Sequence, residues 1–188
     1  MSVLVTGAAG HLGNNVARAL LAGGRTVRAL VRRTSASLAG LDVERVPGDV
    51  LDRASLDGPF DGVETVYHCA AVVSILPSDG PRVLQTNVLG PRNVVDACLA
   101  HGVRRLVHVS SVHALARPGS SGVTDESCGP NLDPTAPAYD RSKTAGEEEV
   151  RSGIRRGLDA VTVNPTGIIG PHDYFPHLTG RALITMYR

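Results

Sequence analysis

The chain has 188 residues, a formal net charge of +1, 3% aromatic residues and no tryptophan. That length suits one domain over 1–188 with a proper core. The near-neutral charge and scarce aromatic rings argue against nucleic acid or an anionic membrane surface as the main partner.

The chain opens on Val3-Leu4-Val5, an apolar run that reads as a short buried strand. Thr6-Gly7-Ala8-Ala9-Gly10-His11-Leu12-Gly13 follows, and Val16, Ala17, Leu20 and Leu21 then fall on one face of a helix. Strand, glycine turn and helix make the context of a nucleotide-phosphate loop. Gly7 allows the tight turn, Gly10 bares backbone to a pyrophosphate, and Gly13 lets helix pack on strand. The first free N–H groups and the positive dipole end of the helix face the anion. Gly7, Gly10, His11, Leu12 and Gly13 are therefore candidate cofactor contacts; read blandly, the window is a Gly-rich turn.

Gly23-Gly24 stops the helix, and Thr26 to Val31 is a second strand ending at Arg32-Arg33. An acid there would bind the ribose hydroxyls of NAD, whereas Arg accommodates the 2′-phosphate of NADP. Two arginines and no acid favour NADP, with NAD the alternative; a solvated basic pair is the plainer reading. Val43 to Val46 reads as a third strand, followed by Pro47-Gly48-Asp49-Val50. Asp49 is placed to accept from an adenine amino group with Val50 against the ring, or Asp49 or Asp52 caps the next short helix. Thr65 to His68 is a fourth strand running into Cys69-Ala70-Ala71, small residues that suit either a cofactor ribose or tight packing.

A helix is expected from Arg82 to Ala100, with Leu84, Val88, Val95 and Leu99 inward and a kink at Gly90-Pro91. Leu106 to Val109 is a fifth strand leading into Ser110-Ser111. Residues 115 to 137 form a long Gly-, Pro- and Ser-rich connection, the natural place for a substrate-facing loop. A helix then starts near Ala138, carrying Tyr139 and Lys143, with Glu147-Glu148-Glu149 on its wet side. Val161 to Val163 is a sixth strand, ending in Asn164-Pro165-Thr166-Gly167, and a last helix begins near Pro176. This alternation predicts an α/β doubly wound parallel sheet, a Rossmann fold.

Tyr139 and Lys143 lie one helical turn apart. A phenol with pKa near 10 needs help to act at neutral pH. An ammonium at roughly 4 Å, with an effective dielectric near 20, favours phenolate by about 4 kcal/mol, or up to about three pKa units. The chain has a single lysine among nineteen Lys and Arg residues, and it falls here. Ser111, at a strand's C-terminal end, is placed to hydrogen-bond a substrate carbonyl, though turn chemistry explains both serines equally well.

Three separated cysteines, Cys69, Cys98 and Cys128, form no CxxC pair, so neither a disulfide framework nor a zinc knuckle is expected. Seven histidines show no metal-ligand spacing, and His108 and His113 are expected to be satisfied structural residues. Nothing reads as a signal peptide or membrane span, so a soluble cytoplasmic protein is expected.

The motifs TGAAGHLG (6–13), VRR (31–33), GDV (48–50), HCAA (68–71), VSS (109–111), YDRSK (139–143) and NPTGIIGP (164–171) occur in family order. On them the chain resembles an extended short-chain dehydrogenase/reductase of the NAD-dependent epimerase/dehydratase family, dihydroflavonol-reductase-like branch. The resemblance implies that Gly7, Gly10 and Gly13 bind pyrophosphate, Arg32 the 2′-phosphate, and Asp49 and Val50 the adenine. Ala70 and Ala71 would line the nicotinamide ribose site, with Pro165 near the nicotinamide. Ser111, Tyr139 and Lys143 would be the catalytic triad, Tyr139 and Lys143 also touching cofactor, with no metal. The implied activity is NADP-dependent reduction of a small ketone or aldehyde. Alternatives are an NAD-dependent sugar-nucleotide epimerase or dehydratase, and a non-catalytic nucleotide-binding fragment. Family members continue past Arg188 into another strand and a smaller substrate region, so the substrate pocket is expected to be truncated. A homodimer through Arg82–Ala100 and Ala138–Gly153 is a further implication.

Overall fold

The computed structural model describes residues 2–33, 36–117, 122–174 and 178–187. Six strands, β1 (Ser2–Thr6), β2 (Thr26–Val31), β3 (Val43–Pro47), β4 (Val63–His68), β5 (Arg105–Val109) and β6 (Ala160–Val163), form one sheet in the order β3-β2-β1-β4-β5-β6. Every pairing is parallel. The chain builds outward from β1 to β3, then returns to the other side of β1. The reversal opens a crevice at the C-terminal ends of β1 and β4, where doubly wound sheets place their ligands.

Alternation along β1 explains the layers. Leu4 faces one core with Leu30, Phe60, Val94 and Leu106, and Val5 faces the other with Ala17, Val27 and Leu38. Helix α1 (His11–Ala22) covers the second face. The short α2 (Asp57–Phe60) and the longer α4 (Gly90–Ala100) and α5 (Ala138–Arg155) cover the first. A strand buried on both faces reads as a continuous apolar run, which is why Val3-Leu4-Val5 of β1 was legible.

The expected helix from Arg82 is made of α3 (Gly80–Leu84), a π turn over Gln85–Leu89, and α4. Pro91 has no N–H to give the Asn87 carbonyl, so the wider turn replaces a simple kink. The extra residue rotates the inward stripe: Val83, Asn87, Val94, Val95 and Cys98 are buried, while Leu84, Val88 and Leu99 are only partly so.

The acidic triplet also departs from expectation. Three consecutive helical residues span most of a turn and cannot share one face. Glu148 is exposed, but Glu147 is buried, accepting from Arg151 at 2.8 Å and Asn164 Nδ2 at 2.6 Å. Glu149 takes both guanidinium contacts of Arg92 across to α4.

In the long connection, residues 118–121 lie outside the described residues. The rest is tied by a bridge between Leu115 and Pro130 and by Asn131 N–H donating to the Ala114 carbonyl at 2.8 Å. Pro176 also lies outside the described residues, and α6 runs Leu178–Tyr187. Among the described residues no helix is long and apolar enough to cross a membrane.

Candidate functional site

The glycine loop joins β1 to α1 at the crevice. Gly7 has φ +68°, and a Cβ there would sit 2.7 Å from the Ala70 nitrogen. A Cβ on Gly13 would overlap the Gly7 carbonyl oxygen. Gly10 N–H donates to Gly7 O at 2.9 Å, and Gly10 leads into α1 with no side-chain cap and no acid in the first turn. The helix therefore presents open N–H groups and an uncompensated positive end.

A groove of about 630 Å³ extends from this loop. Gly7, Gly10, Arg32 and Arg33 line one part, and Asp49, Val50, Ala70 and Ala71 line another. Asp49 also turns its carboxylate to the Leu51 N–H at 3.0 Å, while Asp52 caps the following turn through Ala54 N–H. Of the two residues weighed for the cap, Asp52 is the one that takes it. Gly13 lies beneath the loop, and His11 turns away, its Nε2 3.1 Å from the Pro171 carbonyl. Neither His11, Leu12 nor Pro165 lines the groove. Pro165 instead offers its carbonyl to Val112 N–H at 3.2 Å. Arg82 and Thr86 also line the groove, yet nothing in their local sequence marks them, because the π turn decides which way that helix faces.

Ser111 caps a turn after β5, its hydroxyl oxygen accepting from His113 N–H at 3.2 Å. Tyr139, in the first turn of α5, is half-buried. Its phenol is raised above its ordinary pKa by burial, an effect opposed by a hydrogen bond from Ser111 and reinforced by the Asp140 charge. Lys143 is buried at 4% exposure, and its Nζ donates to the Val109 carbonyl at 3.1 Å. Burial pulls its pKa down to about 8, against the opposing pull of Cys69 and Glu147. The expected lowering of the phenol by the ammonium is therefore corrected. Lys143 reaches beneath the strand end, and burial governs Tyr139.

That lysine shares its surroundings with a buried histidine pair. His68 and His108 stack with centroids 5.3 Å apart. His68 Nδ1 meets Thr6 Oγ1 at 2.7 Å, and Thr6 Oγ1 also accepts from Ala70 N–H at 3.2 Å. Burial and the Lys143 charge push His68 down to about 3, and His108 is lowered for the same reasons plus the charge on His68. Among the described residues neither His108 ring nitrogen, nor His68 Nε2, nor the Ser110 hydroxyl has a partner, so the expectation of a satisfied His108 fails there. His113 is satisfied, through Asp140 Oδ2 at 3.2 Å. The cysteines are all free thiols, and burial raises Cys69 and Cys98 to about 12.

A doubly wound parallel sheet with a glycine turn at its reversal point defines a Rossmann fold. The model of the NAD dependent epimerase/dehydratase family matches residues 3–188, and the chain belongs to that family. It is 44% identical over 188 residues to "Sterol demethylase protein B" of Methylococcus capsulatus, covering 98% of this chain and 56% of that protein. It is 36% identical to a "Putative dihydroflavonol 4-reductase" of Synechocystis, covering 98% of this chain and 54% of the other. A solved short-chain dehydrogenase/reductase superfamily protein from Agrobacterium tumefaciens with bound NAD aligns at TM-score 0.73 and 37% identity, over 87% of this chain and 48% of that one. The chain thus spans about half the length of the curated relatives it matches.

Proposed function

We propose that this chain is the cofactor-binding part of an NADP-dependent oxidoreductase that reduces a ketone or aldehyde, with Ser111, Tyr139 and Lys143 at the reacting carbonyl. The observation that carries this is a half-buried phenol at the Ser111 turn, one helical turn from a buried lysine that is the chain's sole one. A dinucleotide suits the groove beside it. The cradle at Gly7 and Gly13 is filled by backbone where side chains would clash, and Gly10 opens toward the groove. Arg32 and Arg33 at the far end suit a 2′-phosphate, Asp49 and Val50 an adenine, and Ala70 and Ala71 a ribose.

The nicotinamide, when bound, supplies the hydride. The chain's own residues do the rest. Ser111 donates to the carbonyl oxygen and orients it. Tyr139 gives its proton to that oxygen, and its raised pKa keeps the proton on the phenol until charge develops there. Lys143 holds a proton at Nζ against the Val109 carbonyl, within the buried end of the site. Tyr139→Phe is expected to abolish carbonyl-dependent NADPH oxidation with cofactor affinity near wild type; equal loss of binding would overturn the acid role. Affinity for NADPH should exceed that for NADH, and Arg32→Ser should erase the difference.

A second reading, an NAD-dependent epimerase or dehydratase, is favoured by the solved neighbour that holds NAD. A clear preference for NADH would support it. A third reading is nucleotide binding without turnover. Tight NADPH binding with no oxidation by any carbonyl would identify it. A homodimer packed through α4 and α5 accompanies the main reading and is tested by sedimentation.

A further inference from the structure

The groove along the glycine loop has a second wall, and that wall carries a cation. Arg82 and Thr86 lie four residues apart on the segment formed by α3 and the π turn, and both line the groove. Backbone contacts tie this wall to the loop. A Cβ on Gly7 would stand 2.7 Å from the Ala70 nitrogen, so the loop packs directly on the exit of β4. Two residues further on, Val72 gives its N–H to Asn87 Oδ1 and takes Asn87 Nδ2 at its carbonyl, both at 2.9 Å. The residue after Thr86 is therefore anchored close to the backbone that Gly7 touches.

The Arg82 charge is open. Arginines elsewhere on the surface face carboxylates, as Arg28 does Glu44, Arg92 does Glu149 and Arg105 does Asp159. Among the described residues Arg82 forms no ion pair, and neither do Arg32 and Arg33 in the same groove. The nearest acid along the chain, Asp79, accepts instead from Ser74 Oγ at 2.6 Å. The dinucleotide has a matching need. Its pyrophosphate carries two negative charges, and the loop offers them N–H groups and a helix end equivalent to about half a positive charge. Asp49 adds a further negative charge to the groove.

We propose that Arg82 is a phosphate-binding residue whose guanidinium holds the cofactor pyrophosphate from the wall formed by α3 and the π turn. A guanidinium is a planar fork that meets two phosphate oxygens at once, and such charge-assisted bonds are about twice as strong as neutral ones. This rests on the dinucleotide reading of the groove, and neither on carbonyl reduction nor on the choice between NADPH and NADH. Both cofactors contain the pyrophosphate, so Arg82 raises affinity for both equally and leaves that choice to Arg32 and Arg33.

ADP carries a 5′-diphosphate without a 2′-phosphate, and adenosine 2′-monophosphate carries the reverse. Calorimetric titration of each into the 188-residue chain therefore separates the two ends of the groove. Arg82→Gln should weaken ADP about tenfold and leave adenosine 2′-monophosphate within about twofold. Arg82→Lys, which keeps the charge and loses the fork, should recover part of the ADP affinity. NADPH and NADH should weaken by the same factor in Arg82→Gln, their ratio unchanged. Arg82 is exposed, so the urea midpoints of both variants should match the wild type. If the wild-type chain binds neither ADP nor NADPH, the dinucleotide reading falls and takes this inference with it. If it binds both and Arg82→Gln leaves ADP unchanged, that reading stands and the inference is overturned. Equal losses for ADP and adenosine 2′-monophosphate would put the guanidinium on the adenosine and overturn it as well.

Discussion

At the scale of single residues, the loop glycines and the buried lysine pull stability and function apart. Alanine at Gly13 would drive its Cβ into the Gly7 carbonyl, which is backbone and has little room to give. Overpacking of that kind costs about 1–3 kcal/mol. Urea unfolding should show that loss, and NADPH affinity should fall with it as the cradle opens. Lys143→Met should do the opposite to stability. The lysine's folded pKa of about 8 lies below its ordinary 10.5, so burying the charge costs stability in full below pH 8. That cost fades as pH rises from 8 to 10.5, and by linkage amounts to about 3 kcal/mol. Methionine keeps the stem and loses one hydrogen bond worth about 1 kcal/mol. The variant is expected to unfold at equal or higher urea at neutral pH while cofactor affinity drops at least about tenfold. A clear loss of stability would count against this account of the lysine.

Among the elements, the π turn and the two helices it joins set the shape of the site's rear wall. Asn87 sits within that turn, its side chain giving Nδ2 to the Val72 carbonyl and to Ser142 Oγ, and taking Val72 N–H at Oδ1. It thereby ties the segment after β4 to α5. The Asn87 carbonyl, to which Pro91 has no N–H to give, faces Gly146 of α5, where a Cβ would overlap it. Helix propensity alone makes Gly146→Ala stabilising by about 1 kcal/mol. The close approach of the two backbones reverses that sign. Thermal unfolding should show the variant less stable, and a rise in midpoint would mean the helices are free to separate. None of this was legible beforehand. Spacing marked Gly90-Pro91 as a disruption, but hydrophobic periodicity cannot say whether a helix answers proline with a kink or an extra residue, so the inward stripe came out misaligned. Glu147 was missed for a related reason: its partners Arg151 and Asn164 meet only when β6 lies beside α5.

Taken whole, the molecule keeps two uncharged histidines in the layer between sheet and helices, and this sets its response to acid. His68, at about 3, and His108, also lowered, stay neutral in the fold, whereas the unfolded chain protonates both below about pH 6.5. Below that pH the unfolded state binds more protons, so stability rises with pH up to about 6.5 and is flat above. His68 alone should cost roughly 2 kcal/mol between about pH 6 and pH 4.5, a sizeable share of a domain's stability, and His108 acts in the same direction. Urea midpoints across that interval test it, and His108→Leu should make the slope shallower. An acid-insensitive midpoint would mean that the pair is solvated.

By itself the sequence determined the strand order of events: six strands, the glycine loop after the first, helices between, and hence the fold class and family. These are local signals, carried by neighbours along the chain and by steric rules that hold wherever the segment goes. Only the tertiary structure decided what each polar side chain faces. It turned His11 to Pro171, set Lys143 under Val109 beside a histidine pair, and brought Asp140 to His113. Such pairings depend on which strand lies next to which, and on a burial energy that no stretch of sequence carries alone.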